Sequence, residues 1–148
     1  MPMAIRTWVL VCDGGRSQVF AGVGRIHALT PVEDSVRTND ASDMRNSRGG
    51  ERSTGHASVG QGRYSVEEHV DPRRRNEAQF LAEQLAWLAD EEAAFDRLVI
   101  IAPPRALGDL RKAMPPVLAR KLAGEVDADL TKSPVADVVR RVSDVLGA

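Results

Sequence analysis

A single cysteine among 148 residues rules out any internal disulfide, so the fold must be held by burial. Cys12 sits inside the apolar run Trp8-Val9-Leu10-Val11-Cys12, the setting of a buried structural thiol rather than of an activated nucleophile. Aromatic residues are scarce at 4%, and Tyr64 is the only one in the polar middle of the chain, which leaves little to stack nucleic-acid bases. The three histidines, His27, His56 and His69, lie far apart and lack the spacing of a metal-ligand set, so no metal is expected. No phosphate-binding glycine-rich consensus follows any strand, and no cofactor is expected. No apolar run is long enough to cross a bilayer. The start, MPMAIRTWVLVCDGG, lacks a long hydrophobic core with a small-residue cleavage site, so the expected location is cytoplasmic, without membrane contact. A formal net charge of −1 with 28% charged residues demands neither nucleic acid nor an acidic surface as partner.

What the chain does have is clearest from Phe95 to Met114, FDRLVIIAPPRALGDLRKAM. Leu98-Val99-Ile100-Ile101 is an unbroken apolar run, as in a strand covered on both faces. Ala102-Pro103-Pro104 ends it, because proline cannot donate to a β ladder. Leu107, Leu110 and Met114 then recur at helical spacing. The result is half of a βαβ unit, with Arg105 at the turn where ligands of open α/β sheets tend to bind.

The rest of the chain completes the sheet. Thr7 to Cys12 reads as a central strand, Asp13-Gly14-Gly15 as a hairpin turn and Ser17 to Ala21 as the return strand. After a turn at Gly22 to Gly24, Arg25 to Val32 is expected as a third strand with Ile26, Ala28 and Thr30 on one face. From Glu33 the pattern breaks into a long polar loop, at about 33–75, rich in Ser, Thr, Asn, Gly and Arg. A helix follows, expected to start near Asn76 and to run to Ala94 on a stripe of Leu81, Leu85 and Leu88. Asp71-Pro72 would be an earlier cap, but it puts Arg73-Arg74-Arg75 in the first turn against the helix dipole, so those arginines are expected to be free. Beyond Pro115-Pro116 come a short helix with Val117, Leu118 and Leu122 and an edge strand from Glu125 to Thr131. Ser133-Pro134 then opens a valine-striped helix through Val135, Val138, Val142 and Val145.

The order β-β-β, loop, α-β-α-α-β-α predicts one α/β domain over residues 1–148. Its mixed five-stranded sheet combines an antiparallel three-strand meander with two crossover strands and carries helices on its faces. The first strand and the Leu98 strand are central neighbours in a ribonuclease H-like topology.

Several of these pieces together resemble a bacterial family of host attachment proteins, required for attachment to host cells. They are Trp8-Val9-Leu10-Val11 with Asp13-Gly14 and Arg16, the helix from Ala78 to Leu85, LVIIAPPRAL with Leu110-Arg111, and Asp129-Leu130-Thr131. That family is similar to the middle domain of archaeal and eukaryotic peptide-chain release factors. The resemblance implies a release-factor-like fold and a ribosome- or tRNA-related ancestry. It also exposes a departure. Release factors that hydrolyse peptidyl-tRNA carry a Gly-Gly-Gln motif in the corresponding loop, where this chain has Gly49-Gly50-Glu51 and, separately, Gly60-Gln61-Gly62.

The candidate residues follow from these placements. Asp13 is the weak catalytic candidate: it could join Asp127 and Asp129 at a nuclease metal site, or simply open the hairpin turn. Arg16, Arg105 and Arg111 are phosphate-binding candidates, or else partners in salt bridges. Arg48, Arg52 and Arg63 of the loop, with Arg73, Arg74 and Arg75, form either a solvated disordered loop or a basic arm suited to phosphate contacts. The expected function is that of a non-catalytic binding or adaptor protein with a ribosome, tRNA, other RNA or protein partner. The alternative is an enzyme, either a tRNA-ester hydrolase or a metal-dependent nuclease.

Overall fold

The computed structural model of the chain describes residues 4–39 and 71–147. The long run of apolar residues near the start becomes β1 (Arg6–Cys12), the middle of the sheet. The Asp13 turn sends the chain back as β2 (Arg16–Val23), antiparallel to β1 with Val9 opposite Phe20 and Val11 opposite Gln18. β5 (Arg97–Ala102) lies parallel to β1 on its other side, with Leu10 opposite Ile100. β6 (Leu122–Asp127) runs parallel to β5 at the edge, with a bulge beside Leu98 and Val99. Two short segments, β3 (Thr30–Pro31) and β4 (Arg37–Thr38), both pair with β2.

The sheet order β3-β2-β1-β5-β6 is the expected mixed α/β arrangement, with β4 alongside β3 as a second short partner of β2. The third strand is much shorter than its sequence suggests. Ile26 and Leu29 are both buried, at 3% and 6% exposure, while Ala28 and Thr30 face solvent. A strand would alternate with period two, whereas these residues turn inward three apart. Gly22 explains it: a Cβ there would meet Ile26 Cδ1 and Leu29 Cδ2 at 2.9 Å each. The loop therefore lies down onto β2 instead of extending beside it.

The first helix also departs from expectation. α1 spans Pro72–Asp90, with Asp71 as its cap accepting a hydrogen bond from the Arg73 amide, and a short 3-10 turn, Glu92–Ala94, follows. The cap and the proline at the first position outweigh the dipole cost of the arginines, a surface effect of about 0.3–1 kcal/mol each. Arg74 is moreover neutralised by a carboxylate from another helix, described below. α2 (Pro104–Ala113) and α3 (Pro116–Lys121) follow β5, and α4 (Val135–Leu146) ends the described chain. The edge strand starts and stops earlier than the alternation EVDADLT implies, so Asp129 lies in the connection to α4 and not on a strand.

Side-chain alternation along β1 divides the interior into two cores. Trp8, Leu10 and Cys12 face α1, α2 and α3, where Leu81, Leu85, Leu88, Leu110 and Leu118 close the layer. Val9 and Val11 face the other way, onto Ile26, Leu29 and the valines Val138 and Val142 of α4. Phe95 stacks on Trp8, and Trp8 in turn on Trp87, with ring centroids 4.9 and 5.8 Å apart. Burial pushes the Cys12 thiol pKa up, so it stays protonated and unreactive. No helix of the described residues is long and apolar enough to cross a membrane.

Candidate functional site

The carboxyl ends of the parallel strands β1, β5 and β6 lie along one edge of the sheet. Asp13, just past β1, anchors the hairpin turn. Its Oδ1 accepts hydrogen bonds from the Gly15 and Arg16 amides at 2.8 and 2.9 Å. Its Oδ2 accepts one from the Thr131 hydroxyl at 3.3 Å, across 118 residues of chain. The same hydroxyl lies 3.0 Å from Asp129 Oδ1. Thr131 thus stands between the two carboxylates, and Asp13 is a turn anchor that also ties down the loop before α4. Among the described residues no group of three or more His, Cys, Asp or Glu side chains is placed to hold a metal ion. Of the two aspartates paired with Asp13 in the sequence reading, Asp127 ends β6 and Asp129 lies in the loop beyond it, where Thr131 brings it beside Asp13.

The first turn of α1 reaches the same place. Gly14 lies so close to this helix that a Cβ there would meet the Glu77 side chain at 2.8 Å. Arg74 forks across to Asp109 of α2, with nitrogens 3.0 and 3.1 Å from the two carboxylate oxygens, and approaches Glu77 at 3.5 Å. Those bonds to Asp109 hold its guanidinium pKa above the usual value. Arg74 therefore braces α1 against α2 and is not free for a partner. Arg111 is committed as well: its guanidinium bonds Glu125 of β6 at 2.9 and 2.6 Å. Of the two readings of Arg111, phosphate binder or salt-bridge partner, the structure shows the salt bridge, because the parallel crossover lays α2 beside that edge strand.

Four arginines named from the sequence keep exposed side chains without a hydrogen-bond or ionic partner among the described residues. Arg16 opens β2, Arg73 and Arg75 sit in the first turn of α1, and Arg105 sits in the first turn of α2. All four belong to segments that start at the carboxyl edge. The carboxylates there are mostly spent: Asp13 on amides and Thr131, Asp71 as a cap, Asp109 and Glu77 on Arg74. The Asp127 side chain, exposed at the end of β6, makes no hydrogen bond among the described residues, though its charge acts on Arg111. Arg25, Arg120 and Arg141 are also unpaired, scattered over a turn and two other helices. Arg48, Arg52 and Arg63, with Gly49-Gly50-Glu51 and Gly60-Gln61-Gly62, lie outside the described residues.

Sequence reasoning missed Thr131 as a functional neighbour of Asp13. The local signal was Asp129-x-Thr131, in which the aspartate bonds the backbone two residues on, here with the Thr131 amide at 3.4 Å. It also missed that Asp109 would take Arg74, since nothing local joins residues 35 positions apart.

Residues 6–142 match the model of a family described as bacterial archaeo-eukaryotic release factor family 12. Among solved structures, one titled "Structural Study of the Aquifex aeolicus PPX-GPPA enzyme" shares 15% identity with a TM-score of 0.40. The match covers 83% of this chain and only 36% of that one. No curated protein matches the chain.

Proposed function

Taking as premise that the chain belongs to the bacterial archaeo-eukaryotic release factor family, we propose that it is a non-catalytic, cytoplasmic protein that binds RNA, with the ribosome as the partner. One observation carries this reading: among the described residues, Arg16, Arg73, Arg75 and Arg105 are unpaired on segments that start at one sheet edge whose carboxylates are largely engaged. Exposed guanidinium groups of this kind suit the bidentate recognition of phosphate oxygens. Each phosphate contact releases counterions, so binding would weaken steeply with salt. The chain carries no Gly-Gly-Gln triplet, which argues for binding over peptidyl-tRNA hydrolysis. Any influence on attachment to host cells, which the family resemblance implies, would then run indirectly through this RNA partner.

Cosedimentation with ribosomes across a salt series tests the proposal. The wild type is expected to pellet at low salt, with a logarithmic slope of roughly −0.7 per phosphate contact. Replacing Arg16, Arg73, Arg75 and Arg105 together by alanine should abolish the binding while leaving the melting curve in place. Failure of the wild type to bind at low salt would falsify the reading.

A further inference from the structure

On the sheet face covered by α4, a cleft of about 130 Å³ opens beside the carboxyl edge. Val11, Phe20, Val36 and Leu130 give it apolar walls. Its polar lining divides into two kinds. Ser17 and Thr131 are already engaged, with Gln84 and with the two aspartates respectively. Arg16, Gln18 and Ser133 offer a guanidinium, an amide and a hydroxyl, none with a side-chain partner among the described residues. Gln18 stands opposite Val11 in the antiparallel pair, so both project onto this one face. Val36, at the mouth, is an apolar side chain left 56% exposed.

These features describe a ligand. Arg16 is the one charged lining residue, so the ligand carries an anionic group. The Gln18 amide presents a donor and an acceptor side by side, which matches the donor–acceptor edge of a nucleobase. Size then selects among bases. At about 130 Å³ the cleft is close in size to a cavity of about 150 Å³ that takes one benzene ring, so a single six-membered ring suits it better than a fused purine. We propose that this cleft takes one unstacked pyrimidine base of single-stranded RNA, with Gln18 and Ser133 on the base and Arg16 on the adjoining phosphate. The inference rests on the RNA-binding reading and gives it a specificity: unstacked bases are the part of RNA that proteins read.

Fluorescence anisotropy with labelled hexauridine and hexaadenosine tests it, alongside amide-shift titration with uridine monophosphate. Wild type should bind hexauridine about tenfold tighter than hexaadenosine, the scale of one well-made base contact. Gln18→Leu removes the amide without opening a void, and Ser133→Leu fills the cleft. Both variants should keep the wild-type salt slope and lose the preference. Equal affinity of the wild type for both strands, or a preference that survives both substitutions, overturns the cleft assignment and leaves the phosphate-binding edge standing. If neither strand binds at low salt while ribosomes still do, the cleft assignment falls alone; if ribosomes fail to bind as well, the broader RNA reading falls with it. Amide shifts at Gln18, Thr131 and Ser133 with the mononucleotide, but no binding of hexauridine, would assign the cleft to a free nucleotide and refute the RNA strand.

Discussion

The two ends of the parallel strands treat their cations differently. At the amino ends Arg6, Arg97 and Lys121 are tied to the protein, while Arg25 in the nearby turn and Arg120 beside Lys121 have no partner among the described residues. Arg6, opening β1, bonds Asp96 with its guanidinium and its backbone amide. Arg97, opening β5, donates to the buried Thr7 hydroxyl at 2.7 Å. Lys121, just before β6, closes on the Glu92 and Phe95 carbonyls at 2.5 and 2.8 Å and on the Glu92 carboxylate at 2.8 Å. At the carboxyl ends Arg16, Arg73, Arg75 and Arg105 project without partners among the described residues, while Asp13 and Asp109 are consumed by structure. A charge that stabilises the fold is paired within it, and a charge kept for a ligand is left solvated. On the proposed RNA-binding reading, the amino end is scaffold and the carboxyl end interface.

Substitutions at the two ends should separate these roles. The largest loss of stability is expected for Lys121→Ala, because its bonds to the Glu92 and Phe95 carbonyls, its ion pair with Glu92 and its contact with the Phe95 ring all vanish. Chemical denaturation should show a decrease on the order of 2 kcal/mol, with ribosome binding unchanged after correction for folded fraction. A binding defect at temperatures where that variant stays folded would erase the distinction between the ends.

Asp13→Ala comes next, at about 1 kcal/mol, since it leaves the Gly15 and Arg16 amides without their acceptor. Asp13→Asn keeps an oxygen at that position and should restore most of the loss. Were the asparagine variant as unstable as the alanine one, the charge and not the turn geometry would be what matters there.

The Arg6–Asp96 pair gives the amino end a pH signature. Hydrogen bonds from the Arg6 side chain, then from its amide, hold the exposed Asp96 carboxyl down at about 2. A depressed value in the folded state adds stability above the unfolded-state pKa, and that addition fades as the pH falls from about 4 to about 2. Acid titration of the melting temperature should therefore show a shallower fall over that window for Asp96→Asn than for the wild type. Identical slopes would mean that the pair is too solvated to matter.

The smallest change in stability belongs to Arg16→Ala combined with Arg105→Ala, within about 0.5 kcal/mol, as for surface residues without partners. The same double variant should still reduce the salt slope of ribosome binding by about 1.4 if each arginine holds one phosphate. Destabilisation beyond 1 kcal/mol would reveal hidden structural partners and move these arginines into the scaffold.

Much of this contrast was legible in part. The unbroken apolar stretches at Trp8 and Leu98 announced two central strands, and the prolines after Ala102 and Met114 announced where helices begin. Asp13-Gly14-Gly15 read correctly as a hairpin turn, with the aspartate bonding backbone amides. The third strand was misjudged because Ile26, Ala28 and Thr30 alternate on paper while Gly22 lets Ile26 and Leu29 fold inward. The start of α1 was misjudged because the penalty of three arginines was weighed without Asp109.

Sequence alone determined the two central strands, the hairpin turn after β1 and the two-sided burial of β1 and β5, because hydrophobic spacing, proline and turn residues act within a few positions of themselves. It also supplied the family resemblance. Which arginines are spent and which are free was decided only by the tertiary structure. Arg74 meets Asp109, Arg111 meets Glu125 and Thr131 meets Asp13 through crossovers that bring distant residues side by side. Ion pairs and hydroxyl bridges are contacts through space, and no local pattern encodes a partner that arrives on another element.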